Sequence, residues 1–140
     1  MFVNGTETYD ASNCTGTAIG TGQRNTQLLV AAMGDEAYAY ESGSDKESNY
    51  AAKLCADLEY THNGVVYDDW FLPSKDELNL MYTTLRANDI GGFQEWEYWS
   101  SSEYSGNTRL GWEQWFPTGE QWLQVSRADF DRVRPIRAFR

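Results

Sequence analysis

Apolar and polar positions repeat with two different periods along this chain, and the change falls past its middle. From Asn25, "NTQLLVAAM" sets a cap residue before helix formers with apolar side chains, which predicts a short helix ending near Gly34. "NYAAKLCADLEY" places Ala51, Leu54, Cys55 and Leu58 at i, i+3, i+4 and i+7, the stripe of a second helix that turns Cys55 toward the core. The sharpest local signal is "WFLPSKDELNLMYTTL". Ser74 is an N-cap, Glu77 three residues later completes a capping box, and Leu78, Met81, Tyr82 and Leu85 line one face of a third helix. Asp76 and Glu77 suit the positive end of that helix dipole, which assigns the acidic pair to capping.

Past "NDIGGF" the helical stripes stop. The segments "EYWSSSEY", "LGWEQWF", "EQWLQV" and "DRVRPIRAF" alternate with the turns Ser105-Gly106-Asn107 and Pro117-Thr118-Gly119, and read as strands and hairpins. Helices in the first half and an antiparallel sheet mostly in the second are the pattern of an α+β fold. Residues 1–24, rich in Gly, Thr, Ser and Asn, read as strand and loop; "ESGSDKES" and "THNGVVYDD" read as loops, the latter carrying His62 before an Asn-Gly turn signal. A length of 140 residues fits one domain, 1–140, around a single core.

Composition narrows the function. With 21 acidic against 11 basic side chains the formal charge is -10, a field that repels nucleic acid and anionic lipid. No stretch approaches the ~18 apolar residues of a membrane span, and the first residues lack a basic region followed by an apolar run, so a soluble chain without membrane insertion is expected. Six Trp and nine Tyr exceed what a small core needs, so some of them are expected to face outward. Cys14 and Cys55 lack the spacing of a zinc or redox site; they are either bridged, outside a reducing cytosol, or free and buried, and the sequence leaves both open. Asp68 and Asp69 offer a minor route to Ca²⁺, and no other cofactor is expected.

Catalytic patterns are absent. With one histidine, Ser-His-Asp and Cys-His arrangements both depend on His62, which reads as a solvated loop residue, and no serine lies in a G-x-S-x-G elbow. "GTGQRN" lacks the last glycine of a dinucleotide fingerprint and the Lys of a phosphate loop. The chain is therefore expected not to be an enzyme. Between Trp99 and Phe130 aromatics mix with charged and amide residues, and strand alternation separates Trp112 and Phe116 from Trp115. Trp99 and Trp112 are assigned to the core, whereas Trp115 and Trp122, set among Glu and Gln, suit binding and core equally. Arg132, Arg134 and Arg137 are expected to pair with carboxylates and lock the last strand.

Taken in order, "GTAIGTGQRNT", "AAKLC", "DWFLPSKDELNLMY", "IGGF", "YWSSSEY", "WEQWFPTGEQ" and "RVRPIRAF" resemble the C-terminal domain family of the Lcl collagen-like bacterial adhesin, over about residues 14 to 139. The resemblance implies a C-type-lectin-like fold, related to the formylglycine-generating enzyme, and a ligand-binding role on the face built by the C-terminal strands and loops. In such a fold Trp99 anchors the core and Ser100, Ser101 and Ser102 hydrogen-bond the loops. Some proteins of this class are variable targets of diversity-generating retroelements, with hypervariable positions in the last segment, here about Ser105 to Arg132. The calcium-dependent sugar motifs E-P-N, Q-P-D and W-N-D do not occur, and no cysteine follows Cys55 to support formylglycine chemistry. A charge of -10 opposes sulfated polysaccharides. The expectation is a binding domain of a bacterial or phage surface or a secreted protein, recognising a protein or cell-surface receptor through Tyr104, Asn107, Arg109, Glu113, Trp115, Glu120, Trp122 and Arg127; the alternative is a polysaccharide-binding adhesin domain.

Overall fold

A computed structural model describes residues 15–35, 37–38, 46–47, 50–104, 107–125 and 131–139, with side chains at 37–38, 46–47, 107–109 and 124–125 outside the description. Three helices come first: α1 (Gly22–Met33), α2 (Ala51–Ala56) and α3 (Lys75–Thr84). Four short strands accompany them, β1 (Ala37–Tyr38) paired with β2 (Lys46–Glu47), and β3 (Tyr60–His62) paired with β4 (Val65–Tyr67). The main sheet follows, with β5 (Glu97–Tyr104), β6 (Asn107–Trp115) and β7 (Glu120–Val125) antiparallel in the order β5-β6-β7. The architecture is α+β, helices before sheet, as the change of period predicts.

The start of α3 is set by its own sequence. Ser74 Oγ accepts from the Glu77 amide and a Glu77 carboxylate oxygen accepts from the Ser74 amide at 2.7 Å, so two otherwise orphaned donors are satisfied reciprocally. The other Glu77 oxygen accepts from the Gly20 amide at 2.8 Å, which ties the entry of α1 to the same cap. Leu78 and Met81 then bury against Tyr98 of β5 and Phe116, with Tyr82, Leu85, Phe93 and Ile136 packed around them. Phe116 is the hub of this core, with ring centroids 4.6 Å from Tyr98, 4.9 Å from Phe93 and 5.6 Å from Tyr82.

Three expectations are corrected. The first helix starts at Gly22, with Thr21 at the cap, and Asn25 lies buried inside it. Asn25 serves a tertiary purpose instead: its side chain accepts from the Gly16 amide at 2.9 Å and donates to the Gly16 carbonyl at 2.6 Å. Gly22 begins the helix where a Cβ would stand 2.9 Å from the Leu72 carbonyl oxygen, closer than real Cβ atoms come, so only glycine fits. In α2 the buried pair is Ala52 and Cys55, while Leu54 and Leu58 are 47 % and 36 % exposed. The helix ends after Ala56, so Leu58 never joins its stripe, and Ala52 meets Leu29 and Met33 of α1. "THNGVVYDD" is not a plain loop: it completes the β3–β4 hairpin, with Asn63 and Gly64 at φ 50° and 76° as a two-residue turn between right-twisted strands needs.

The last segment is also less regular than a strand. Arg132 exchanges backbone bonds with Glu97 and Trp99 beside β5, and Ile136 exchanges both with Phe71, but between these bridges the chain leaves the ladder. Pro135 lies there and has no N–H to donate. The arginines divide their roles: Arg137 pairs with Asp69 at 2.7 and 3.1 Å, as expected, whereas Arg132 and Arg134 stack over Trp96 and Phe93 at 5.6 and 4.3 Å.

The run "YWSSSEY" explains itself in the register. Trp99 faces Glu113 and Glu103 faces Gly111, so four residues of β5 span what two residues span on β6, a bulge. A bulge costs ladder bonds, and the serine hydroxyls replace them. Ser100 Oγ donates to the Trp112 carbonyl at 2.7 Å; Ser102 Oγ donates to the Gly16 carbonyl and accepts from the Lys75 amide at 2.7 and 2.9 Å; Ser101 Oγ accepts from Asn25 at 3.2 Å. All three serines are buried, and they join the segment before α1, the start of α3 and β6 to one strand.

Candidate functional site

Register divides the two faces of the main sheet. Tyr98, Gln114 and Gln121 are cross-strand neighbours and share the face toward α3. Gln114 donates to Asn79 Oδ1 and the Gly119 carbonyl, both at 2.9 Å, and Gln121 donates to the Lys75 carbonyl at 2.9 Å. At the edge of that face the Lys75 ammonium sits 3.8 Å from the ring centroid of Trp112. This inner face is closed by helix contacts and hydrogen bonds.

The opposite face carries two cross-strand rows. Trp99, Glu113 and Trp122 form one, and Glu97, Trp115 and Glu120 the other. Indoles and carboxylates thus alternate both along and across the strands. The alternation follows from the period-two geometry of paired strands acting on "EYW", "EQW" and "EQW". Burial grades across it. Trp99 and Glu113 are buried, Glu97 and Trp115 are half-buried, and Trp122 and Glu120 are exposed.

Glu113 is 2 % exposed, and its two oxygens differ. One accepts the indole N–H of Trp122, and the other has no hydrogen-bond partner among the described residues. Glu120 is held at the rim by the Thr118 hydroxyl, which donates to its carboxylate at 3.0 Å. The turn at residues 116–119, with Gly119 at φ 84°, sets the register that brings Trp115 and Glu120 together.

Of the eight residues singled out from the sequence, Glu113, Trp115, Glu120 and Trp122 come together on this face. Tyr104 lies exposed at the far end of β5, opposite Asn107 in the register. The side chains of Asn107 and Arg109, and all of Arg127, fall outside the described residues. Glu97 and Trp99 belong to the face by register, and the sequence reading had not grouped them with it. The common E-x-W signal of "EYW" and "EQW" was the available cue.

The arrangement offers flat aromatic area beside carboxylate acceptors, which suits groups that are cationic or rich in hydrogen-bond donors. It offers no nucleophile beside a base. His62 is exposed on the β3–β4 hairpin, stacked on Tyr60 at 6.3 Å and 3.1 Å from the Asn63 amide. No group of three or more His, Cys, Asp or Glu among the described residues is placed to hold a metal ion, and Asp69 engages both oxygens with Arg137. Cys55 is a free thiol, and burial pushes its pKa up to about 12. Glu103 ends the serine run in a buried position, and burial pushes its carboxyl up to about 7. Among the described residues no helix is long and apolar enough to cross a membrane. No family model, no curated protein and no solved structure matches this chain.

Proposed function

We propose that the chain is a non-enzymatic ligand-binding domain of the C-type-lectin-like type, related to the C-terminal domains of the Lcl collagen-like adhesin, that recognises a protein receptor through the outer face of β5-β6-β7. One observation carries the reading: three indoles and three carboxylates alternate on the face of the sheet opposite α3, and Trp122 and Glu120 on it are exposed. Trp122 and Trp115 supply rigid amphipathic area, and the more accessible carboxylates Glu97 and Glu120 select for basic side chains. A net charge of -10 speeds the encounter with a basic partner. The serine run is then the fixed frame, and the span from about Ser105 to Arg132 is the diversified part if a retroelement acts on the gene.

A polysaccharide adhesin uses the same indoles by stacking on sugar rings, so the test separates the two. Wild type, Trp115→Ala and Trp122→Ala are presented to a displayed peptide library and to a glycan array. The proposal expects enrichment of Lys- or Arg-bearing peptides, weakened about tenfold or more in each variant. Glycan binding without peptide enrichment favours the adhesin, and unchanged binding in both variants moves the site off this face.

A further inference from the structure

On another part of the molecule a cavity of about 470 Å³ opens between the β3–β4 hairpin, the end of α3 and residues 134–139. Small-ligand sites occupy about 300–1,000 Å³, and this one has their composition. The rings of Tyr67, Trp70, Phe93 and Phe139 and the side chains of Leu85 and Ile136 line it. Phe139 is 96 % exposed, an aromatic ring at the mouth with almost nothing covering it.

The charges around it run against those of the chain. Arg134 and Arg137 both line the cavity, and no carboxylate is among the described residues that do, although the protein carries -10 overall. Both guanidiniums are held in place and neither is used up. Arg137 lies 4.4 Å from the ring centroid of Tyr67 and gives Nε and Nη2 to Asp69, which leaves Nη1 without a partner among the described residues. Arg134 lies 4.3 Å from the ring centroid of Phe93 and gives Nη1 to the Gly91 carbonyl at 2.7 Å, which leaves Nε and Nη2. Stacking on a ring and a bond to a fixed acceptor restrict both side chains before any ligand arrives, so less freedom is lost on binding.

We infer that this cavity binds a small molecule with a flat apolar body and one carboxylate, the body between the aromatic rings and the carboxylate on the spare N–H groups of Arg134 and Arg137. The sheet face plays no part in it. An indole-and-carboxylate face favours cations, whereas this cavity favours anions, so the two sites discriminate ligands by opposite charge.

Titration with 2-naphthoate and its uncharged counterpart 2-naphthamide, followed by calorimetry and by chemical-shift changes, tests the inference. Naphthoate is expected to bind saturably, and naphthamide at least about tenfold more weakly because it forfeits the charge-assisted bonds. Arg134→Gln should bring naphthoate down to the level of naphthamide, and Phe139→Ala, which removes a ring the fold does not bury, should weaken both ligands. Equal binding of the two ligands to the wild type overturns the anion site. So does the absence of saturable naphthoate binding at millimolar concentration, or naphthoate affinity unchanged in both variants.

Discussion

The two faces of the β5-β6-β7 sheet take the same kinds of residue to opposite ends. On the inner face the polar groups Gln114 and Gln121 are matched one by one to Asn79, Gly119 and Lys75, and the aromatics Tyr98 and Phe116 pack into the α3 core. On the outer face the polar groups are carboxylates, one with an oxygen that has no partner among the described residues, and the aromatics grade from buried Trp99 to exposed Trp122. What separates the faces is satisfaction of hydrogen-bonding capacity, not polarity. A matched buried amide specifies one structure, whereas the exposed Trp122 indole and Glu120 carboxylate are accessible to a partner.

The comparison is broken most forcefully from the inside. Phe116→Ala should cost about 3–5 kcal/mol in urea unfolding, the range for emptying a buried aromatic site, because three core rings, Tyr82, Phe93 and Tyr98, lose their common neighbour. Trp122→Ala on the outer face should cost less, about 1–3 kcal/mol, chiefly because it takes the indole N–H from the buried Glu113 carboxylate. Equal losses would mean that the outer face is structural too.

Glu103 supplies a pH test of the frame. Its carboxyl is raised from 4.5 to about 7 by burial, so the folded state holds the proton more tightly than the unfolded state does. The contribution is fully present below about pH 4.5 and is lost as pH rises toward 7. This group should therefore lower stability across that window by on the order of 1–3 kcal/mol, measured as a falling urea midpoint. A rise assigned to Glu103 by its titration in carbon-detected NMR would contradict the buried placement.

Ser102→Ala should cost about 1–3 kcal/mol, since it strands the Lys75 amide and removes one of the two donors to the Gly16 carbonyl. Ser74→Ala should cost about 1 kcal/mol through the lost cap. The smallest effect concerns Cys55, whose raised pKa and burial predict no alkylation in the native protein at neutral pH and full alkylation in denaturant.

How much of this was legible in the sequence follows the range of the interactions. The capping box at Ser74 and Glu77 was readable because every group in it lies within four residues. Asn25 was misread because a cap and a tertiary clamp use the same amide, and its partners Gly16 and Ser101 are assigned only by the fold. The hairpin at Asn63-Gly64 was visible as a turn but not as strands, since its two three-residue arms are exposed and carry no buried alternation. Trp115 and Trp122 could be named, yet their placement beside Glu113 and Glu120 needed the β6–β7 register. The arginine-lined cavity was not legible at all, because Tyr67, Phe93 and Arg134 come from three separate segments.

The most direct test of a closed inner face and an open outer face is one variant measured twice. Trp115→Ala/Trp122→Ala is melted by circular dichroism and then carried through the peptide-library selection alongside wild type. The prediction is a cooperative melt about 10 °C or less below wild type and loss of the basic-peptide enrichment. Collapse of the fold, or enrichment identical to wild type, would contradict it.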